Sequence, residues 1–212
     1  MSAQALSPVT AARQDASPKR QLVLEAARAL FLARGYGAVS MDAVAQRAGV
    51  SKATLYAHFQ SKDALFATMM DGCSLADMVE ERLFALAPAD LPTALSAIGQ
   101  TVLRFMMRPE TLAIYRIAVA ESGRFPELGQ AFHARGPQRF LDRLTEWLTQ
   151  QQRAGLIRPA ADPCVAAQQF GALLRSGLFL RTTLALPPPP TEAEIDGTVA
   201  AAVETWLRAY AA

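Results

Sequence analysis

Apolar residues fall at helical spacing along most of this chain, and beyond Pro92 no segment alternates with the period of two that marks a strand. From Lys19 to Arg34, Leu22, Val23, Ala26, Ala27 and Leu30 share one helical face, and Gly35 ends the run. Two short helices follow. Ser40 is placed to cap the first through its side-chain oxygen, with Asp42 in the positive first turn. Val44, Ala45 and Ala48 give it a small apolar face before Gly49, the residue best able to adopt a positive φ. Ser51 then caps a second helix whose Leu55 and Phe59 point inward, leaving Lys52, Thr54, Tyr56 and His58 mostly outward. Ser61 opens a longer helix through Asp63, Leu65, Phe66, Met69 and Met70 to about Leu86, before Pro88 and Pro92 break the chain.

The remaining pattern predicts helices over Pro92–Met107, Pro109–Ser122, Pro126–Ala154, Pro163–Leu186 and Thr191–Tyr210. Several open on a proline, whose missing N–H costs nothing in a first turn. An interruption is expected near Gly136-Pro137, a C-terminal cap at Gly155, and a stiff extended connector at Pro187–Pro190. In the last helix Ile195, Val199, Ala202, Val203, Trp206, Leu207 and Tyr210 form one apolar stripe behind a capping box of Thr191 and Glu194. In the helix before it Val165, Phe170, Leu173, Leu174, Leu178, Phe179 and Leu180 spread around most of the circumference. Such a helix is buried on more than one side, against another subunit or wholly inside its own protomer.

Two short helices joined by a Gly-centred turn, the second presenting polar side chains, have the layout of a helix-turn-helix that enters a DNA major groove. Tyr and Thr hydroxyls and Lys ammonium groups donate to phosphates, and residues early in the second helix reach base edges. Charge agrees with this. Between Lys19 and Lys62 seven Lys or Arg stand against two Asp or Glu, while the rest of the chain is mildly acidic within a net charge of +2. Lys19 and Arg20 could also reach a phosphate from the start of the first helix.

The stretches VAQRAGVSKATLYAHF and SKDALF, after a helix ending FLARGYGAVS, resemble the N-terminal domain of TetR-type transcriptional regulators over about Lys19 to Phe66. Ala53 stands where that family often has Gly, and Ser40-Met41 replaces a frequent Thr-containing pair. The resemblance places Tyr56, His58 and Lys62 on common phosphate-contact positions and Lys52 and Ala53 on base-facing ones. Ser40, Ser51 and Thr54 complete the expected DNA-facing set. The segment PETLAIYRIAVAESGRFPELGQAF is similar to the C-terminal ligand-binding region of the AefR-like branch, over roughly residues 105 to 175. The resemblance also implies that the last two long helices form a four-helix dimer interface. The expected interface residues are Phe170, Leu174, Leu178, Val199, Val203, Trp206 and Tyr210.

A composition that is 51% hydrophobic and 19% charged suffices for a buried core in a chain of 212 residues. Every long apolar run is interrupted by Arg or Glu, so no membrane span is expected. Residues 1–18 have neither a basic start nor an apolar core, which predicts a disordered tail and not a secretory signal. Cys73 and Cys164 read as free thiols of a reducing cytoplasm. His58 and His133 lie far apart, without a metal-ligand pattern or a nucleophile, so neither a metal site nor catalysis is expected. Gly35-Tyr36-Gly37 lacks the third glycine of a dinucleotide loop and follows a helix, not a strand.

Met69, Met70, Met78, Phe105, Met106, Met107, Tyr115 and Phe132 are candidates for an adaptable apolar pocket, because Met fills irregular space, though plain core competes for each. Arg104, Arg116 and Glu121 are candidates to orient a ligand there. The expectation is therefore an all-α protein of about nine helices. Residues 19–66 form a three-helix DNA-binding domain and residues 67–212 an effector-binding and dimerisation domain. Its partners are a palindromic double-stranded operator, a second copy of itself and a small-molecule effector, with no cofactor, no metal and no membrane. The expected function is transcriptional repression, against the alternatives of a helical enzyme or an interaction module without an operator.

Overall fold

The computed structural model describes residues 17–71 and 90–212, whose regular secondary structure is helical apart from one isolated bridge between Ile157 and Ala211. The tail up to residue 16, the end of the helix expected to reach Leu86, and Cys73, Met78 and Pro88 lie outside the described residues. The chain divides into two compact units between Met69 and Met70.

In the first unit α1 (Pro18–Arg34) begins on a proline and ends at Gly35, whose φ of 76° few other residues adopt. Val23, Ala27, Leu30 and Phe31 form its buried stripe. Leu22, expected on that face, lies at the stripe's edge and is 49% exposed. Next come α2 (Met41–Ala48), α3 (Lys52–His58) and α4 (Lys62–Asp71), the last reaching the boundary between units. Phe31, Tyr36 and Phe66 pack with ring centroids 5.3 to 6.0 Å apart, binding α1, the following loop and α4 into one core.

The second unit contains α5 (Leu91–Met107), α6 (Pro109–Glu121), α7 (Pro126–His133), α8 (Arg139–Arg153), α9 (Pro163–Leu174), α10 (Gly177–Thr183) and α11 (Glu192–Tyr210). α5 packs on α11, and α9 packs between α8 and α11. Gly99 permits the closest of these approaches: a Cβ there would lie 2.8 Å from Val199 Cγ1. Trp206 is fully buried and donates from Nε1 to the Ala166 carbonyl at 2.8 Å. Arg158 closes the C-terminus, donating to the carbonyls of Ala211 and Arg208 at 2.8 and 3.1 Å.

Two expected helices are each broken in two. The interruption anticipated at Gly136-Pro137 is a π-helical turn, Ala134–Gln138, between α7 and α8. Pro137 has no N–H to give, and one extra residue in the turn accommodates its ring. The helix expected over Pro163–Leu186 stops at Leu174 and restarts at Gly177. Ser176 is extended there, and the Ser-Gly pair is a weak place to propagate a helix.

The expected dimer stripe is corrected by burial. Phe170, Leu174, Val199 and Trp206 are at most 1% exposed, with Leu178 and Val203 also buried, so these side chains already form the core of one protomer. Tyr210 is half-buried on the same core and donates its hydroxyl to Gln169 Oε1 at 2.5 Å.

Candidate functional site

The turn between α2 and α3 is built from local chemistry. Ser40 Oγ accepts from the Ala43 N–H at 3.2 Å, and Ser51 Oγ accepts from the Thr54 N–H at 3.1 Å. Gly49 between them is left-handed, with φ 67° and ψ 29°, and lets the Val50 N–H return to the Ala45 carbonyl. These bonds fix the rotation of α3. Leu55 and Phe59 are buried, whereas Lys52, Ala53 and Tyr56 are exposed and Thr54 and His58 half-exposed. The polar side chains expected to face DNA therefore share the outward side of a helix whose inward side is anchored.

Lys52 and Asp42 pair at 2.6 Å across the turn, and the carboxylate raises the lysine pKa, first through that hydrogen bond. Both side chains stay more than half exposed, so the pair holds the ammonium in place at the surface of the turn. Arg20 stacks its guanidinium on the Phe59 ring at 5.4 Å, which holds it beside the end of α3.

Lys62 is placed otherwise than expected. Its ammonium donates to the Tyr36 and Val39 carbonyls at 2.9 and 3.1 Å and lies 4.1 Å from the Tyr36 ring centroid. Tyr36 in turn donates its hydroxyl to Asp63 Oδ1. The start of α4 thus grips the loop leading into α2, and the expected phosphate anchor is a half-buried clamp. A lysine spaced from two inward carbonyls left no mark in the sequence.

The second unit encloses a cavity of ≈ 120 Å³. Of the expected pocket residues, Met70, Phe105, Met106, Tyr115 and Phe132 line it. Met69 does not, being buried in the first unit. Arg116 is corrected: it donates to the Thr183 and Thr182 carbonyls, both at 2.7 Å, and so caps α10. Glu121 ends α6 away from the wall, and Arg104 is held by Glu192 and Asp196 at 2.9 Å each. Met107 is buried but not on the wall. The sequence reading missed Arg135, Gly136 and Pro137 of the π-helical turn, and Arg175 at the break after α9. A signal was present only for the first three, because the interruption expected at Gly136-Pro137 lies on this wall, whereas the apolar pattern runs on through the break after α9.

A separate groove of ≈ 550 Å³ runs between the α9–α10 break and α11. Gly197, Ala201 and Thr205 line its α11 side at four-residue spacing. Among the described residues no cluster of three or more His, Cys, Asp or Glu is disposed to hold a metal, and no helix is long and apolar enough to cross a membrane.

Comparison with known proteins agrees over both units. Residues 23–69 match the model of bacterial regulatory proteins of the tetR family, and residues 93–212 match that of the AefR-like transcriptional repressor C-terminal domain. FasR, an HTH-type transcriptional activator of Mycolicibacterium smegmatis, is 48% identical over 52 residues, 24% of this chain. That match spans only 24% of FasR's own length. The HTH-type transcriptional regulatory protein RaaS of Mycobacterium tuberculosis is 31% identical over 161 residues, covering 74% of this chain and 68% of RaaS. The solved structure of the flavonoid-responsive regulator FrrA superposes with a TM-score of 0.75 at 36% identity, covering 91% of this chain and 97% of that one.

Proposed function

The chain belongs to the TetR family of bacterial transcriptional regulators, in its AefR-like branch, and on that footing we propose that it is a dimeric repressor released by a small molecule. The family is one of regulators and not of enzymes. The observation that carries the DNA reading is the outward face of α3, where Lys52, Ala53, Thr54 and Tyr56 stand opposite buried Leu55 and Phe59. Two copies of that helix meet successive major grooves when they sit about 34–36 Å apart, which calls for a dimer and a palindromic operator. The seam we assign to that dimer is the groove face of α11, where small side chains let a second helix approach closely. An effector in the cavity releases DNA only through its differential affinity for two arrangements of the heads.

A footprint on the promoter beside the protein's own gene, followed by titration of the protected sequence, tests this reading. Protection of two half-sites one turn apart supports it. Tyr56→Phe then weakens binding about threefold to tenfold on every sequence, the loss expected from one hydroxyl donor. Absent protection, or binding indifferent to salt, removes the operator from the account.

A further inference from the structure

We propose that Asp42 and Lys52 read DNA together, as an ion pair that selects a G·C base pair at one position of each operator half-site. The inference rests on the reading of α3 as the helix that enters the major groove, and it names the base pair met there. Asp42 lies on α2, outside the set of residues expected to face DNA. Its connection to that set is Lys52, the first residue of α3, whose ammonium it holds at 2.6 Å from a position ten residues away in sequence. With side-chain exposures of 67% and 57% the pair is open to solvent, and an ion pair so exposed contributes little to folding.

The start of a recognition helix is the part that reaches base edges. Its other polar groups here are committed to each other: Ser51 Oγ caps α3 and shares a hydrogen bond of 2.8 Å with the Thr54 hydroxyl. Ala53 carries only a methyl group. An ammonium has three donors and a carboxylate two acceptor oxygens, so one bond between them leaves each able to make more. In the major groove guanine presents N7 and O6 as adjacent acceptors, and its cytosine presents the N4 amino donor. O6 and N4 are bonded to each other within the base pair, so acceptor and donor lie about 2.9 Å apart on that edge. Nζ and Oδ2 offer the complementary donor and acceptor at nearly the same separation, 2.6 Å. The ammonium then spans O6 and N7 while the carboxylate accepts from N4. On an A·T pair the N6 amino group stands between the two acceptors, and an ammonium beside a carboxylate on N6 reaches only one of them. Asp42 also acts against wrong sequences. It holds the ammonium away from the phosphates, where it would bind every sequence alike, and its own charge is repelled wherever no amino group receives it.

The test selects binding sites for the full-length protein from randomised duplex DNA, then titrates duplexes that differ from the selected site by one base pair at a time. One G·C pair in each half-site is expected to be replaceable by A·T only at a loss of about tenfold or more. Asp42→Asn keeps the side chain's size and is expected to cut that discrimination to threefold or less, chiefly by tightening binding to the A·T duplex. Discrimination at the other positions of the half-site is expected to stay as in the parent. Lys52→Ala is expected to relax the same position and no other, with weaker binding to the G·C duplex. Because discrimination is a ratio of two affinities of one protein, a smaller folded fraction in either variant cancels from it. Discrimination that survives at every position in both variants, variants that relax different positions, or an A·T pair selected at the position they share overturns the proposal. Each of these outcomes leaves the regulator reading standing. A parent protein that enriches no sequence removes both.

Discussion

The ammonium of Lys62 bonds to two carbonyls of the loop between α1 and α2, so its removal leaves Tyr36 and Val39 without those partners in a half-buried place. Charge-assisted bonds of this kind stabilise by about 1.5–3 kcal/mol, less here for partial exposure. Lys62→Ala is therefore expected to lower the urea midpoint of the first unit by an amount corresponding to about 1–2 kcal/mol. Unchanged stability with a flatter salt dependence of DNA binding would return Lys62 to phosphate contact. Two glycines give a contrasting pair. Gly99→Ala presses a methyl to within 2.8 Å of Val199 Cγ1 and is expected to cost about 1–3 kcal/mol. Gly171→Ala meets nothing closer than 4.0 Å and is expected to stabilise α9 by about 0.5–1 kcal/mol. Chemical denaturation of both variants reads the difference in sign. Neither outcome is legible in the sequence, because a glycine inside a helical pattern looks the same whether its missing side chain makes room for a neighbour or for a cavity.

Local chemistry made the helix ends readable and left some of the breaks hidden. The capping box of Thr191 and Glu194 forms as expected, since its partners are three residues apart. Gly136-Pro137 was legible as an interruption because proline's missing N–H is a covalent fact. Ser176-Gly177 was not, because Leu173, Leu174, Leu178 and Phe179 continue the apolar pattern through the break. Its consequence reaches α11. Arg181 on α10 pairs with Glu194 at 2.8 Å, and that bond, followed by the Thr191 N–H, lowers the Glu194 pKa from 4.5 to about 2. A carboxylate depressed in the folded state stabilises it above the unfolded pKa, and that contribution disappears as pH falls through the folded value. Glu194→Gln is therefore expected to melt below the parent at pH 7, with the gap closing between pH 4.5 and about 2. Melting curves across that range decide it, and a gap independent of pH would assign the cap's effect to geometry alone.

Periodicity states how wide an apolar arc is but not what covers it, and the stripe expected to form a dimer interface shows the cost of that ambiguity. The stripe from Ile195 to Tyr210 was wide enough for a subunit interface, yet α5 and α9 cover it within the protomer. What α11 leaves outward is the groove face of Gly197, Ala201 and Thr205. A substitution in the covered stripe and one on the outward face should therefore fail in different ways. Trp206→Ala removes a fully buried indole and its bond to the Ala166 carbonyl, and is expected to cost about 3–5 kcal/mol at any protein concentration. Ala201→Glu puts a charge in the groove without entering the core, since Ala201 is exposed in the protomer. Its protomer is expected to keep the parent's helix content while the monomer fraction rises at micromolar concentration. Operator binding is expected to fall with it, because separated heads lose their fixed spacing. Sedimentation at several concentrations, run beside melting curves, separates the two variants. A folded Ala201→Glu protein that stays fully dimeric moves the seam off α11. One that turns monomeric yet binds the operator as tightly as the parent breaks the connection between spacing and recognition.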